Sequence, residues 1–286
     1  MSGQLSVWRA RAHTFDLSPP RTIIMGILNA TPDSFSDGGR HMTAPAALAA
    51  AQTMIEDGAD IIDVGGESTR PGRPETVTTE QECARVVPVI AQIRGRFPSA
   101  VISVDTYKGD VARQALEAGA DIINDVCALR RSPEIAGMAM ASGAGLILMH
   151  MRGNPETMQA DPHYDDAPAE VAAFLRERMT FAVSHGVDPS QIAIDPGIGF
   201  GKTIEHNLEL INRLDELTAL GRPVCMGVSR KGFLGALTGG LPADQREETT
   251  IAAVCACVMN GARIVRVHNT RAAKRALAII DALRAR

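Results

Sequence analysis

The chain has 286 residues and a mass of 30.4 kDa, room for one large domain or two ordinary ones. Its 45% hydrophobic and 22% charged residues suit a globular chain with a large core and exclude a disordered one. Aromatic residues make up only 3% and the net charge is −4, which argues against a large immunoglobulin-type sandwich, a base-stacking platform or a nucleic-acid partner, but leaves small phosphorylated ligands open.

Residues 1–21 belong to no repeat and are expected to form an N-terminal extension, a short hairpin at the bottom of the domain. They show no apolar segment of a secretory signal. From residue 22 to residue 286, strands alternate with helix-length segments. The first strand spans 22–29; in the segment after it Leu48, Ala51 and Ile55 share one helical face, with Thr43 as N-cap. Next comes Gly58-Ala-Asp-Ile-Ile-Asp63-Val64. The same frame returns in Gly119-Ala-Asp-Ile-Ile-Asn124-Asp125-Val126, in Gly143-Ala-Gly-Leu-Ile-Leu-Met-His150 and in Gly261-Ala-Arg-Ile-Val-Arg266-Val-His268. In each, a helix ends at a glycine that can take positive φ, and the apolar run after it suits a parallel strand buried on both faces. Residues 101–105, 191–195 and 223–227 supply the remaining strands. Alternation without a glycine- or proline-rich linker predicts right-handed crossovers and an α/β fold, a single (β/α)8 TIM barrel. The five cysteines include no C-x-x-C pair, and Cys255 and Cys257 lie in an apolar helix-like segment. They fit a reducing, cytoplasmic location, and the apolar stretch 135–149 is too short and glycine-rich to span a membrane.

In a barrel of this kind the site lies at the C-terminal strand ends. Those ends read Asn29, Asp63, Asp105, Asn124, His150, Asp195, Ser229 with Lys231, and Arg266 with His268. Taken singly, Asp63 reads equally well as a strand-end cap, His150 as a satisfied core histidine, and Asp125 as the cap of a turn. Asp105 and Asp195 are harder to explain structurally, because an unpaired carboxylate at a buried strand end is costly. The series as a whole points to a ligand. Three loops add to it. Residues 29–39 and 65–72 are polar and glycine-rich, as mobile lids are. Ser229-Arg230-Lys231-Gly232 offers two cations and free backbone N–H groups to an anion. Gly197-Ile-Gly-Phe-Gly-Lys202-Thr203 imitates a phosphate loop but fails on spacing, since residue 196 is Pro; it reads as a close-approach loop beside a flat ligand. His163, His185 and His206 lack metal-ligand spacing.

Asn29-Ala-Thr-Pro-Asp-Ser-Phe-Ser-Asp-Gly-Gly, Asp63-Val-Gly-Gly-Glu-Ser-Thr-Arg-Pro-Gly, Ser103-Val-Asp-Thr, Asp195-Pro-Gly-Ile-Gly-Phe-Gly-Lys, Ser229-Arg-Lys and Arg266-Val-His resemble, in order, the motifs of the dihydropteroate synthase family. Ala30 stands where a larger aliphatic residue is expected, and Asn269 where an Asp is. The resemblance implies a transferase of folate biosynthesis. It condenses (7,8-dihydropterin-6-yl)methyl diphosphate with 4-aminobenzoate, giving 7,8-dihydropteroate and diphosphate by an SN1-like route assisted by Mg2+. It further implies that Asp105, Asn124, Asp195 and Lys231 surround the pterin, and that Asp105 stabilises the developing cation. Thr69, Arg266, Val267 and His268 serve the pterin and diphosphate, and Asn29 gives an oxygen to Mg2+. Phe35, Asp37, Arg70, Pro71, Phe200 and Ser229 belong to the aminobenzoate pocket and its loops. Ordered binding, poor sulfonamide binding to the ligand-free protein and a homodimer are also implied. A pterin-binding methyltransferase or carrier would share the barrel but lack the loop chemistry. A lysine-dependent aldolase would use Lys231 as a Schiff base, and a non-catalytic interaction protein would need none of these residues together.

Overall fold

A two-stranded antiparallel hairpin, β1 (Val7–Ala10) and β2 (His13–Asp16), opens the computed structural model, which describes residues 6–18, 20–31, 44–67, 77–153 and 158–286. The order after it is β3 (Ile23–Asn29), α1 (Ala44–Glu56), β4 (Ile61–Gly65), α2 (Thr79–Arg96), β5 (Val101–Asp105), α3 (Gly109–Ala118), β6 (Ile122–Asp125), α4 (Ile135–Ser142), β7 (Gly145–Met149) and α5 (Ala167–Ser184). There follow β8 (Ile192–Asp195), α6 (Ile204–Asn212), α7 (Asp215–Thr218), β9 (Cys225–Met226), α8 (Gly232–Leu237), α9 (Glu247–Met259), β10 (Ile264–Val267) and α10 (Thr270–Arg284).

The strands β3 to β10 form one parallel sheet in the order β8-β7-β6-β5-β4-β3-β10-β9. A parallel bridge between Ile194 and Val224 joins its two ends into an α/β TIM barrel. The strand expected over 223–227 shortens to Cys225–Met226, where Pro223 has no N–H to extend the ladder. The four repeat glycines Gly58, Gly119, Gly143 and Gly261 all take positive φ where the chain leaves a helix for the next strand. On α1, Ala47 and Ala51 are buried, with Leu48 and Ile55 packed beside them; the Thr43 cap lies outside the described residues.

Side chains of the strands split between two cores, as their period of two requires. One set packs outward against the helices. It includes Ile62, Val64, Ile102, Val104, Ile123, Val265 and Val267. The other set fills the lower barrel: Met25, Ile61, Val101, Ile122, Ile147, Ala193, Cys225 and Ile264, closed from below by Trp8, Ala10 and Leu17. Trp8 is fully buried, stacks on Phe15 and donates its indole N–H to the Gln191 carbonyl at 2.9 Å. Arg11, at the hairpin turn, donates to the carbonyls of Leu116 and Ala120. The hairpin thus seals the N-terminal end of the barrel. All five cysteines are free thiols. Among the described residues no helix is long and apolar enough to cross a membrane.

Candidate functional site

Two residues above the apolar plug, the inward positions turn polar: Asp63 on β4, Asn124 on β6, Asp195 on β8 and Arg266 on β10, with Asp105 at the tip of β5. Asp105, Asn124, Asp195, Arg266 and Lys231 line a pocket of about 360 Å³, counted to its open mouth, together with Met149, Ile198 and Phe200. Its mix of apolar wall and convergent polar groups is that of a small-molecule site.

The charges in this pocket are arranged in pairs. Arg266 donates from Nε to Asp63 and from Nη2 to Asp105, both at 2.6 Å. Asp63 is fully buried and its bonded oxygen also accepts from Asn124 at 3.3 Å. It is therefore the support of Arg266, neither a cap nor a ligand group. Burial opposes the charge on Arg266, but the two carboxylates hold its proton well above the usual arginine range. Burial pushes the Asp105 carboxyl above the usual carboxylate range, and Arg266 pulls it back. Burial also raises Asp195, against the backbone N–H of Gly197, which donates to it at 2.6 Å. Lys231 is pushed down to about 8 by burial and then by Arg266, while Asp195 and Asp105 oppose the shift. Its ammonium lies 4.0 Å from the centre of the Phe200 ring, a cation–π contact.

The turn that carries Lys231 is held from α9. Arg230 adopts φ 58°, an uncommon conformation for a residue with a side chain. Thr250 accepts its N–H at 3.0 Å, and Arg246 donates to the carbonyls of Arg230 and Lys231. The Arg230 guanidinium sits 3.9 Å from Glu247, so this turn brings one cation to the pocket and not the expected two. Ser229 bonds to His268 Nδ1 at 2.9 Å, placing both beside that turn. Asn29 lies half-buried at the end of β3, in register with Gly65. The Val267 side chain is buried in the outer core, which leaves its backbone to face a ligand. Phe35, Asp37, Thr69, Arg70 and Pro71 lie outside the described residues.

Asp125 caps the turn after β6, accepting from the N–H groups of Cys127 and Leu129. His150 is a satisfied core histidine whose partner had no sequence signal of its own: the Lys202 ammonium, 3.0 Å from Nδ1. Sequence reasoning also missed Lys108. It donates to Glu67, Glu82 and the Val77 carbonyl, tying the loop after β5 to segments before and after residues 68–76. Lys108 is three residues beyond Asp105 in the sequence, but its acidic partners lie 41 and 26 positions away.

Comparison with known proteins agrees with this geometry. The profile of the pterin binding enzyme family matches residues 25–268. The chain is 46% identical over 263 residues to the dihydropteroate synthase of Synechocystis sp., covering 92% of this chain and 90% of that protein. Among solved structures, Yersinia pestis dihydropteroate synthase in a sulfonamide drug complex superposes with a TM-score of 0.91 at 41% identity, over 98% of this chain and 100% of that one. Xanthomonas albilineans dihydropteroate synthase with 4-aminobenzoic acid gives a TM-score of 0.89 at 42% identity, over 98% and 99%. A polar pocket above an apolar plug, sequence identity along nearly the whole chain and a shared barrel converge: the chain belongs to the dihydropteroate synthase family of pterin-binding enzymes.

Proposed function

We propose that this chain condenses (7,8-dihydropterin-6-yl)methyl diphosphate with 4-aminobenzoate to form 7,8-dihydropteroate and diphosphate in folate biosynthesis. The observation that carries the reading is the convergence of Asp105, Asn124, Asp195 and Lys231 on one pocket. These are the acceptors and donors that the edge of a pterin requires. Carboxylates accept from its amino and ring N–H groups, while amide and ammonium donate to its oxygen and ring nitrogen. Met149, Ile198 and Phe200 supply apolar surface for a flat heterocycle.

In the reaction the bond between the exocyclic carbon and the diphosphate oxygen breaks, and the oxygen keeps the electron pair. The electron-rich pterin spreads the positive charge left on that carbon. The aminobenzoate nitrogen then forms the new C–N bond and gives up a proton. Asp105 places negative charge beside the developing cation, an interaction that strengthens towards the transition state. Arg266, with His268 and Ser229 at the rim, faces the diphosphate. Its two carboxylate partners already fix its orientation before the anion arrives. Phe200 and Ser229, with Phe35, Asp37, Arg70 and Pro71 of the first two loops, serve the aminobenzoate, so the amine binds second, while Thr69 serves the pterin and diphosphate.

Among the described residues no group of three or more His, Cys, Asp or Glu side chains could hold a metal. Asn29, at the end of β3, would hold Mg2+ carried in with the diphosphate through its neutral amide oxygen. Bound there, Mg2+ would neutralise charge on the leaving diphosphate. A homodimer and a cytoplasmic location belong to the same proposal. The exposed Leu237, Met259, Ile279 and Leu283 on α8, α9 and α10 favour the former, and the free thiols the latter.

The test is diphosphate release from the dihydropterin diphosphate with and without 4-aminobenzoate, in Mg2+ and in excess EDTA. Release that needs both, with dihydropteroate formed, supports the proposal. Tight pterin binding without turnover points to a carrier.

A further inference from the structure

Lys202 ends the glycine-rich loop that imitates a phosphate site, and it has no part in the reaction just described. Only 3% of the residue is exposed. Its ammonium meets three acceptors, each at 3.0 Å: His150 Nδ1 and the carbonyls of Gly197 and Phe200. An ammonium has three protons to give, so the set is complete and none is left for a ligand. While Lys202 carries its charge, His150 is neutral and accepts through Nδ1, with its proton on Nε2; burial pushes the Lys202 ammonium down to about 7, against the nearby Asp195 charge. Burial, then the nearby Lys202 charge, hold the imidazole far below the usual histidine range. The imidazole stands edge-on to Phe174 with centroids 4.8 Å apart, and the His150 backbone N–H donates to the Asp195 carbonyl at 2.9 Å.

The loop above Lys202 has little freedom of its own to hold this shape. Gly197 takes φ 67°, and a Cβ there would lie 1.9 Å from the His150 carbonyl oxygen, so the backbone passes His150 as closely as a backbone can. Two outputs leave the loop towards the pocket. The Gly197 N–H donates to Asp195, and the Phe200 ring lies under the Lys231 ammonium. Lys202 holds the carbonyls of these same two residues, Gly197 and Phe200.

We propose that Lys202 is the positioning residue of the pterin pocket: from beneath the loop it pins Gly197 and Phe200, and through them sets Asp195 and Lys231 for the pterin. It acts through these residues and does not touch the substrate. The proposal rests on the pterin reading of the pocket, and its test separates the two.

Lys202→Met keeps most of the side-chain volume and removes all three hydrogen bonds. Its thermal midpoint, its kcat and its KM for the dihydropterin diphosphate are compared with wild type, as is its affinity for pterin-6-carboxylate measured by the probe's own fluorescence. All kinetic and binding data are taken well below each protein's midpoint. The expected result is a KM for the dihydropterin diphosphate and a Kd for the probe that rise together, on the order of tenfold to a hundredfold. A lowered midpoint with KM and Kd within twofold of wild type makes Lys202 structural only and overturns the proposal. Should Lys202→Met fail to fold, the His150 partners decide. His150→Gln keeps an acceptor for the ammonium and should bind the probe nearly as wild type, whereas His150→Leu should weaken it; equal affinities overturn the proposal. If wild type itself does not bind the probe, the pterin reading and the proposal fall together, whereas a wild type that binds alongside an unaltered Lys202→Met removes the proposal alone.

Discussion

The two ends of the barrel interior are built from the same strands and differ by one step of two residues. On β4 that step runs from Ile61 to Asp63, on β6 from Ile122 to Asn124, on β8 from Ala193 to Asp195 and on β10 from Ile264 to Arg266. The lower layer is apolar and sealed by Trp8; the upper layer is charged and open. A strand can present both because successive inward side chains stack along its length. The lower layer gains stability from area removed from water. The upper layer gains little that way, since buried charges recover their lost hydration only through partners. Stability and chemistry are thus separated along the barrel axis, and mutations at the two ends should have separable effects.

The largest effect expected is at the bottom. Trp8→Ala should cost about 3–5 kcal/mol of stability by leaving a cavity under the strands. The variant should keep the wild-type KM values when assayed cold. Urea denaturation followed by circular dichroism measures the first quantity and steady-state kinetics the second. A KM that shifts with the stability would mean that the plug shapes the mouth, and the two ends would not be independent.

Asp105→Asn tests the upper layer alone. It preserves shape, and Arg266 keeps Asp63 as a partner. The expected outcome is a fall in kcat of about 10²- to 10³-fold with pterin affinity nearly intact, because the lost charge matters most when the cation forms. Equal losses in kcat and affinity would assign Asp105 to ground-state recognition. Lys231→Met should have a smaller effect, on the order of tenfold in pterin affinity, worth about 1.4 kcal/mol. It also carries a pH signature. The free-enzyme ammonium titrates at about 8. Below that pH Lys231 donates to the pterin; as pH rises through it the proton leaves, so kcat/KM should fall on the alkaline side. That limb should flatten in Lys231→Met, and an unchanged profile would place its origin elsewhere.

The difference between the two layers is also the difference between what the sequence discloses and what it hides. The repeated glycine marks four of the strands, and an apolar run with a polar end marks the others and the residue at each tip, so Asp105, Asn124, Asp195 and Arg266 are readable directly. Period-two alternation even distinguishes inward from outward positions, and would have excluded the Val267 side chain from the mouth. Cross-barrel pairing has no such local signal. Asp63 and Arg266 meet across 203 positions of sequence, and Lys202 reaches His150 across 52. Nothing in their neighbours' identities specifies a partner, since a buried ammonium is satisfied by carbonyls that every residue carries. The turn at Arg230 is a similar case. Its left-handed backbone is held by Arg246 and Thr250 from a later helix, which sends its guanidinium to Glu247 and leaves Lys231 alone at the pocket.

Asn269 sets the finest test of the separation, because it stands beside the rim yet serves the scaffold. It follows His268 directly and is the N-cap of α10, its side chain accepting the Ala272 N–H at 3.0 Å. Asn and Asp are comparable caps, since either offers an oxygen to the unpaired N–H groups of the first turn. The Asp expected there by resemblance is therefore replaceable without loss of the cap. Asn269→Asp should leave the thermal midpoint and kcat nearly as they are, and Asn269→Ala should cost about 1 kcal/mol of stability with kcat unchanged at low temperature. Differential scanning calorimetry and single-temperature kinetics measure the two effects. A fall in kcat for Asn269→Ala beyond the fraction unfolded would show that the first turn of α10 also sets the angle of His268, and the boundary between scaffold and site would then run one residue further along the chain.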